Sequence, residues 1–233
     1  MRLFRRTTGI ADSHRRLVWQ SVSLLLAYPE NDAEGMPGYA DRLALVEGVI
    51  DDLPPSVAGP LRSCVDGLTG SEVHEAAQRY VETFDLRRRR SLFLTYWTDG
   101  DTRNRGNAML QFADAYREAG VEPPDGELPD HLAVVLEFGA TVEFKAGMAL
   151  LRRYRAPLAL LQDALGQMGS PYAGAVEAVL ATVPEPDPEQ TRREAQRIAQ
   201  EGPPSESVGL DPYSVTVPVD ALAASLRTVG GSR

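Results

Sequence analysis

The sequence predicts an all-α protein: a single compact helical domain of about seven to eight helices over residues 1–183, followed by an irregular tail over 184–233. Apolar residues recur every three or four positions through most of residues 13–182, which is the period of a helix with one buried face. Alternating patterns do not form a convincing strand ladder there. The chain has 233 residues, of which 43% are hydrophobic, and this is enough for one full core.

The first half of the chain predicts four helices, each with an apolar stripe and a recognisable end. The first begins at the capping residue Ser13 and stops at Pro29, which cannot continue it. Pro54 ends the second helix and Gly70 ends the third. The four stripes cover residues 13–28, 38–52, 61–70 and 71–84.

The second half predicts further helices separated by turn-forming residues. Residues 85–106 combine an arginine run, an aromatic cluster and a stretch of Gly, Asp, Thr and Asn that predicts a loop. An amphipathic helix follows over 107–120, and a long apolar helix is predicted over 131–154. Pro157 and Pro171 are placed to begin two more.

The segment 184–233 differs in character from the residues before it. It begins with a run rich in proline and acidic residues, and residues 191–200 are compatible with a polar helix. Residues 213–219 alternate like a strand until Pro218 interrupts them. We therefore predict a tail that either docks on the helical domain or stays mobile.

Composition and charge exclude several classes of function. The 24 basic and 33 acidic residues give a net charge of −9, which opposes binding to nucleic acid. One cysteine and three widely separated histidines offer few ligands for a metal centre and no internal disulfide. Sequence motifs that cradle phosphate or activate a serine nucleophile do not occur. We predict a protein that is not an enzyme, with no catalytic residues, no cofactor and no metal site.

The sequence also predicts no direct membrane insertion. Arg5-Arg6 is not followed by the apolar segment of an export signal, because Asp12, His14 and Arg15 lie where that segment would be. No uninterrupted run of about 18 apolar residues occurs. The predicted location is the cytoplasm.

The first candidate binding element is the helical segment that contains Tyr80, Phe84 and Asp85. Tyr80 and Phe84 are four residues apart and share one face of a helix. Two interpretations stay open: an ordinary aromatic core stripe, or the wall of a groove that receives apolar side chains of another chain. Asp85 at the helix end opposes the helix dipole, so we expect it to pair with an arginine or cap the following loop.

The second candidate is the aromatic and polar stretch over residues 92–106. Aromatic rings beside turn-forming polar residues are typical of a binding pocket, because the rings bury area while the loop offers directed hydrogen bonds. The alternative is a structural loop in which Asp101 caps the next helix and an arginine ties the loop to the core. The candidate residues of this stretch are Leu94, Tyr96, Trp97, Asp101, Arg103 and Arg105.

The third candidate comprises Asp130, His131 and Glu137. As an acid–base pair, Asp130 and His131 are unconvincing, because neighbouring helical residues point about 100° apart. A capping or anchoring role for Asp130 at a helix N-terminus is favoured. Residues 114–143 contain eight acidic residues and one arginine, a balance that attracts a basic amphipathic peptide.

These stretches, in this order, resemble the TorD/DmsD/NarJ family of molybdoenzyme chaperones, and most specifically its NarJ branch. The similarity covers about residues 13–182, and it is carried by SVSLLLAYP, YVETFD, SLFLTYWTDGDTRNRGNAMLQF and ELPDHLAVVLEF. It implies a cytoplasmic chaperone that binds the N-terminal segment of the apo α subunit of respiratory nitrate reductase. It also implies that the chaperone keeps that subunit competent for molybdenum cofactor insertion before membrane docking. Carried over, the peptide-binding region includes Tyr80, Phe84 and Asp85, the 94–106 stretch, and Asp130 and His131 with Glu137.

Two other functions compete with a peptide-binding chaperone. One is an enzyme that handles a cofactor or nucleotide with Asp130, His131 and Arg103. The other is an all-α transcriptional regulator that uses the arginine run 87–90, which the acidic net charge opposes.

Overall fold

The computed structural model describes residues 9–31, 37–86, 88–122, 126–185 and 187–204. Eleven α-helices lie within these ranges, and the extended pairing there is one isolated antiparallel bridge between Phe93 and His131. The predicted all-α class is confirmed. The strand-like stretch at 213–219 lies outside the described residues.

The helices are numbered α1 to α11 in chain order. They span Asp12–Leu26 (α1), Tyr39–Ile50 (α2), Pro55–Leu68 (α3), Val73–Tyr80 (α4), Leu94–Asp99 (α5), Arg103–Glu118 (α6), Leu132–Thr141 (α7), Phe144–Arg153 (α8), Arg155–Gln167 (α9), Tyr172–Thr182 (α10) and Pro188–Glu201 (α11). Helix α4 continues directly into a π-helical turn, Val81–Asp85, and a 3₁₀ turn over Arg88–Arg90 precedes α5.

Helix α1 lies at the centre of the core, against α2, α7 and α10. Its Trp19 is fully buried, and the indole Nε1 donates a hydrogen bond of 2.8 Å to the Thr182 hydroxyl on α10. The same ring stacks on Phe144 with 4.9 Å between centroids. One large side chain of α1 therefore joins α1 to both α8 and α10.

The described residues before 184 form ten α-helices, where the periodicity predicts seven or eight. The predicted long helix over 131–154 divides at Val142 and Glu143, where Glu143 is extended and its carboxylate accepts the Lys145 amide at 3.0 Å. After this division, α7 and α8 pack closely where Gly139 faces Gly147. A Cβ at residue 147 would lie only 2.4 Å from the Gly139 Cα, so the close approach requires glycine there. In addition, Leu94–Asp99, within the irregular 85–106 stretch, forms the short helix α5.

Residues 191–200, which the sequence predicts as compatible with a polar helix, lie within helix α11. This helix packs against α9. Its start is capped by Asp187, whose carboxylate accepts the amides of Glu189 and Gln190 at 3.1 and 3.0 Å. Ile198 is its buried apolar residue. This part of the predicted tail therefore lies against the helical domain, while the boundary at 183 stays a prediction.

Candidate functional site

A groove of about 880 Å³ lies where the end of α1, the π-helical turn after α4, the start of α5 and the start of α7 meet. Two backbone hydrogen bonds join the start of α5 to the start of α7: the Leu94 amide donates to the Asp130 carbonyl at 3.0 Å, and the Leu132 amide donates to the Leu92 carbonyl at 2.9 Å. The groove is lined by Ser23, Ala27, Tyr28, Glu30, Tyr80, Phe84, Asp85, Ser91, Leu92, Phe93, Tyr96, Asp101, Arg105, Glu127, His131, Ala133, Val134 and Glu137.

One side of the groove, which we call the aromatic wall, consists of Tyr28, Tyr80 and Phe84. The rings of Tyr80 and Phe84 lie 4.8 Å apart, and Tyr28 meets Tyr80 edge-on at 5.5 Å. The Tyr80 hydroxyl donates to the Leu26 carbonyl at 2.9 Å, and burial raises the pKa of this phenol. Phe84 also contacts Tyr172 of the core at 4.9 Å. Tyr80 and Phe84 therefore fit both interpretations of this segment, because they belong to the aromatic core and also line the groove.

On the opposite side, Arg105 lines the groove and rests on a buried pair, Thr95 and Asp130; we call these three residues the polar base. Asp130 is fully buried, and its Oδ2 accepts hydrogen bonds from the Thr95 amide at 3.2 Å and the Thr95 hydroxyl at 2.5 Å. Arg105 places its guanidinium 3.8 Å from Oδ2 and donates from Nε to the Thr95 hydroxyl at 3.3 Å.

Asp130 therefore caps a different helix from the one expected. The sequence places it in the first turn of the helix that follows it, but that helix, α7, begins at Leu132. Its carboxylate instead accepts the amide of Thr95, the second residue of α5. A negative charge at a helix N-terminus is favourable, so Asp130 stabilises α5 from 35 residues further along the chain.

His131 is about nine-tenths buried and lies on the groove surface beside Phe93, whose ring centroid is 5.2 Å away. Its Nδ1 atom has no hydrogen-bond partner among the described residues. Burial lowers the pKa of this imidazole, and the nearby carboxylates of Glu127, Asp130 and Asp85 oppose that shift more weakly. The groove thus presents a neutral imidazole at neutral pH.

Five carboxylates surround the opening, and we call them the acidic rim: Glu30, Asp85, Asp101, Glu127 and Glu137. All five residues are exposed. Among the lining residues, the cationic side chain is Arg105, and its charge is already held by Asp130 and by Asp101 at 3.7 Å. It also lies over the rings of Phe93 and Tyr96 at 5.4 and 5.7 Å. The groove therefore combines an aromatic lining with a negative opening.

Most of the residues predicted for binding line this groove. They are Tyr80, Phe84, Asp85, Tyr96, Asp101, Arg105, His131 and Glu137. Leu94 and Trp97 are core residues instead, and the Trp97 indole donates to the Ser91 carbonyl at 3.0 Å. Arg103 is exposed at the start of α6, outside the groove lining.

The sequence-based selection missed the contribution of α1. Ser23, Ala27, Tyr28 and Glu30 line the groove at the end of this helix. The Arg42 guanidinium fixes that end, because it donates to the carbonyls of Leu24 at 3.3 Å and Tyr28 at 2.8 Å. The sequence did contain one signal, Tyr28. This large aromatic residue directly follows the apolar stripe of α1, where the buried face does not need another large side chain, which indicates a role other than core packing.

The residues of the competing functions are not gathered at one site. Asp130 bonds Thr95, His131 faces Phe93, and Arg103 lies outside the groove. In the arginine run, Arg87 is outside the described residues, and Arg90 donates to the Glu82 carbonyl at 3.1 Å. Within the described ranges, no three His, Cys, Asp or Glu side chains are grouped as metal ligands, and no helix has the length and apolarity to cross a membrane.

Comparison with known sequences shows which family the groove-forming segment of the chain matches. Residues 50–178 match the family model described as nitrate reductase delta subunit, and this segment includes every groove element except the end of α1. The chain belongs to the nitrate reductase delta subunit family. Membership of this family also agrees with the resemblance to the NarJ branch on which the binding residues were selected.

Three relatives differ in how much of their own length this chain matches. The nitrate reductase-like protein NarX of Mycobacterium tuberculosis is 50% identical over 166 residues, which cover 71% of this chain and 24% of NarX. The probable nitrate reductase molybdenum cofactor assembly chaperone NarJ of Bacillus subtilis is 27% identical over 72% of this chain and 89% of that protein. The NarJ chaperone of Escherichia coli K12 is 32% identical over 65% of this chain and 63% of its own length. The chain thus matches about a quarter of NarX but most of the B. subtilis NarJ.

Proposed function

We propose that this protein is a cytoplasmic assembly chaperone of respiratory nitrate reductase. It binds the N-terminal segment of the apo catalytic α subunit and keeps that subunit competent for molybdenum cofactor insertion before membrane docking. The observation that carries the proposal is the groove with its aromatic wall and acidic rim. Relatives named as nitrate reductase molybdenum cofactor assembly chaperones support nitrate reductase as the client. The protein itself performs no catalysis in this proposal and needs no cofactor of its own.

The groove has the chemistry that an amphipathic helical peptide requires. Such peptides bind by inserting apolar side chains, spaced three or four residues apart, into a hydrophobic groove. Tyr28, Phe93 and Tyr96 give aromatic surface to those side chains, and each large side chain that becomes fully buried contributes roughly 1.5–3 kcal/mol.

The acidic rim selects basic peptides and accelerates their approach. Its five carboxylates are exposed, so each pairs weakly with a bound cation, but together they set the sign of the potential at the opening. Salt screens charges that are exposed in this way. Peptide association is therefore expected to be fast at low ionic strength and slower as salt is added.

A chaperone must release its client, and the groove is suited to moderate affinity. A peptide that is disordered when free loses conformational entropy when it becomes helical, and this opposes binding. The five carboxylates of the acidic rim are exposed, so the part of a bound peptide that lies beside them stays in contact with solvent.

The proposal is tested by calorimetric titration of a synthetic peptide from the N-terminus of the nitrate reductase α subunit into the full chain. We expect saturable one-to-one binding that is lost when the peptide sequence is scrambled. A double variant, Glu127→Gln with Glu137→Gln, should weaken binding and reduce its salt dependence. The matched control, Glu47→Gln with Glu177→Gln, removes two acidic charges outside the groove lining and should do neither. Absence of heat at two temperatures would refute the peptide-binding mechanism.

A further inference from the structure

Helix α11 lies on the surface of the helical domain and is held there by little buried apolar surface. All 14 residues of α11 are described, and among them Ile198 is the buried one. By comparison, the 11-residue helix α10 buries six of its residues. A segment that buries so little detaches locally at a much lower free energy than the core helices do.

A polar cleft of about 400 Å³ lies between α11 and α6, where tightly packed helices would have interlocking side chains. Asn104, Asn107 and Gln111 of α6 line one side of this cleft, and Glu194 and Arg197 of α11 line the other. Four of these five residues are exposed, and Glu194 is half-buried. Helix α11 therefore packs against α9 but meets α6 across a polar gap, which again favours local detachment.

The residues that follow α11 cross the corner between α5 and α6. The backbone of Pro204 lies directly on Gly100, since a Cβ at residue 100 would be 1.7 Å from the Pro204 oxygen and 2.8 Å from its nitrogen. Gly100 ends α5: its amide donates to the Tyr96 carbonyl at 2.9 Å, and its φ of +58° with ψ of −149° is a conformation that favours glycine. Residues 187–204, which we call the strap, therefore link α9 to the end of α5.

The corner that the strap covers carries three residues of the groove lining. We define the corner as residues 94–106; within it, Tyr96 lies on α5, Asp101 precedes α6 and Arg105 lies in the first turn of α6. A helix of six residues such as α5 is too short to be stable by itself. It therefore depends on contacts at its two ends, which are Asp130 at its N-terminus and the strap at its C-terminus.

From these observations we propose that the strap is a releasable clamp on the corner. While the strap is attached, the corner is ordered, and Tyr96, Asp101 and Arg105 are held where they line the groove. When the strap detaches, the corner loosens, and a ligand binds less tightly because it must then order the corner itself. The effect on client affinity rests on the proposed function, whereas the coupling between strap and corner is a property of the chain alone.

Hydrogen exchange of the backbone amides in the full chain, measured by mass spectrometry with no peptide present, tests the coupling. Ile198→Asp puts a charge at the buried position of α11 and should detach the strap. We expect exchange to become faster, by at least about tenfold, both in α11 and in the corner, while α7 and α10 are unchanged. Ala199→Asp adds the same charge at the next, exposed position and should change neither segment.

The coupling should also act in the reverse direction. Gly100→Ala places a Cβ against the Pro204 backbone, so α11 should exchange faster although the substitution lies at the end of α5. Gly120→Ala is the matched control, because Gly120 also has a positive φ, +77°, but a Cβ there would meet no packed neighbour within 4 Å. It should leave exchange in α11 unchanged.

Three results would overturn the proposal. They are an unchanged corner in the Ile198→Asp protein, equal acceleration in all helices of that protein, and an α11 that does not respond to Gly100→Ala. None of these measurements contains a nitrate reductase peptide, so their outcome is independent of the chaperone proposal. Where that peptide binds, the Ile198→Asp protein should bind it about fivefold more weakly than the Ala199→Asp protein, and equal affinities would show that the strap does not act on the groove.

Discussion

The two sides of the groove are held in place by different forces. The aromatic wall is fixed mainly by packing, since Tyr80 and Phe84 contact each other and the buried Tyr172, together with one neutral hydrogen bond from the Tyr80 hydroxyl to the Leu26 carbonyl. The polar base is fixed by hydrogen bonds and charge: Asp130 accepts two hydrogen bonds from Thr95 and forms an ion pair with Arg105 at 3.8 Å. Packing of this kind tolerates changes of pH and salt, whereas the polar base depends on every partner being present.

This contrast separates residues that build the groove from residues that are free to serve a ligand. Phe84 and Asp130 are nearly or fully buried, so their removal damages the protein before it affects any ligand. Tyr28 is 47% exposed and ends the same wall, so its ring is available to a peptide at little cost to the fold. The following expectations test this distinction, from the largest effect to the smallest.

The largest loss of stability is expected from Phe84→Ala in the aromatic wall. Phe84 is 5% exposed, and its removal leaves a cavity between Tyr80 and Tyr172. We expect the free energy of unfolding to fall by about 4 kcal/mol, measured by urea denaturation. Leu86→Ala is the control, because Leu86 follows the same π-helical turn and is 67% exposed. Equal losses in the two variants would show that Phe84 is not a packing residue.

A slightly smaller loss is expected from Asp130→Ala in the polar base. Without the carboxylate, the Thr95 amide loses its cap and the Arg105 guanidinium loses its buried partner. We expect unfolding to become easier by about 3 kcal/mol. Asp101→Ala provides the comparison, since Asp101 also faces Arg105 but is 61% exposed, and it should cost less than about 1 kcal/mol. Similar urea midpoints for both variants would contradict the assigned role of Asp130.

A change in binding rather than in stability is expected from Tyr28→Ala. The ring meets Tyr80 edge-on at the open end of the aromatic wall, so its loss removes surface that a peptide buries. We expect about a tenfold weaker affinity for the α-subunit peptide in calorimetry, with a stability loss below about 1 kcal/mol. Leu45→Ala removes a residue of similar exposure, 53%, outside the groove lining and should leave the affinity unchanged. An unchanged affinity for Tyr28→Ala would move the peptide site away from this wall.

Sequence reasoning succeeded where the structure depends on local spacing. The four-residue interval between Tyr80 and Phe84 predicted a shared helical face, and the rings lie 4.8 Å apart. The all-α class followed in the same way from the period of the apolar residues. Both features need only neighbouring residues, which the sequence displays directly.

It failed where contacts join distant segments. The local pattern placed Asp130 at its own helix, but the pairing of Phe93 with His131 brings it to the N-terminus of α5. The end of α1 joins the groove through Arg42, whose hydrogen bonds to Leu24 and Tyr28 no periodicity reveals. Such contacts are set by how the helices pack, so the shape of the groove required the three-dimensional structure.

The smallest expected effect is a pH dependence of stability that arises from His131. Burial lowers the pKa of the folded imidazole, while the unfolded chain titrates near its ordinary value of about 6.5. The unfolded state therefore binds the proton first, so stability is complete above that pH and is lost as the pH falls through it toward the lowered folded value. Urea denaturation of the wild type and of His131→Gln should give curves of stability against pH that differ in slope between about pH 7.5 and 5.5, the wild type falling more steeply. His14 and His74 are present in both proteins, so the difference in slope isolates His131. Parallel curves would mean that the imidazole is as well solvated in the folded chain as in the unfolded one, and Phe93 could not then be shielding it.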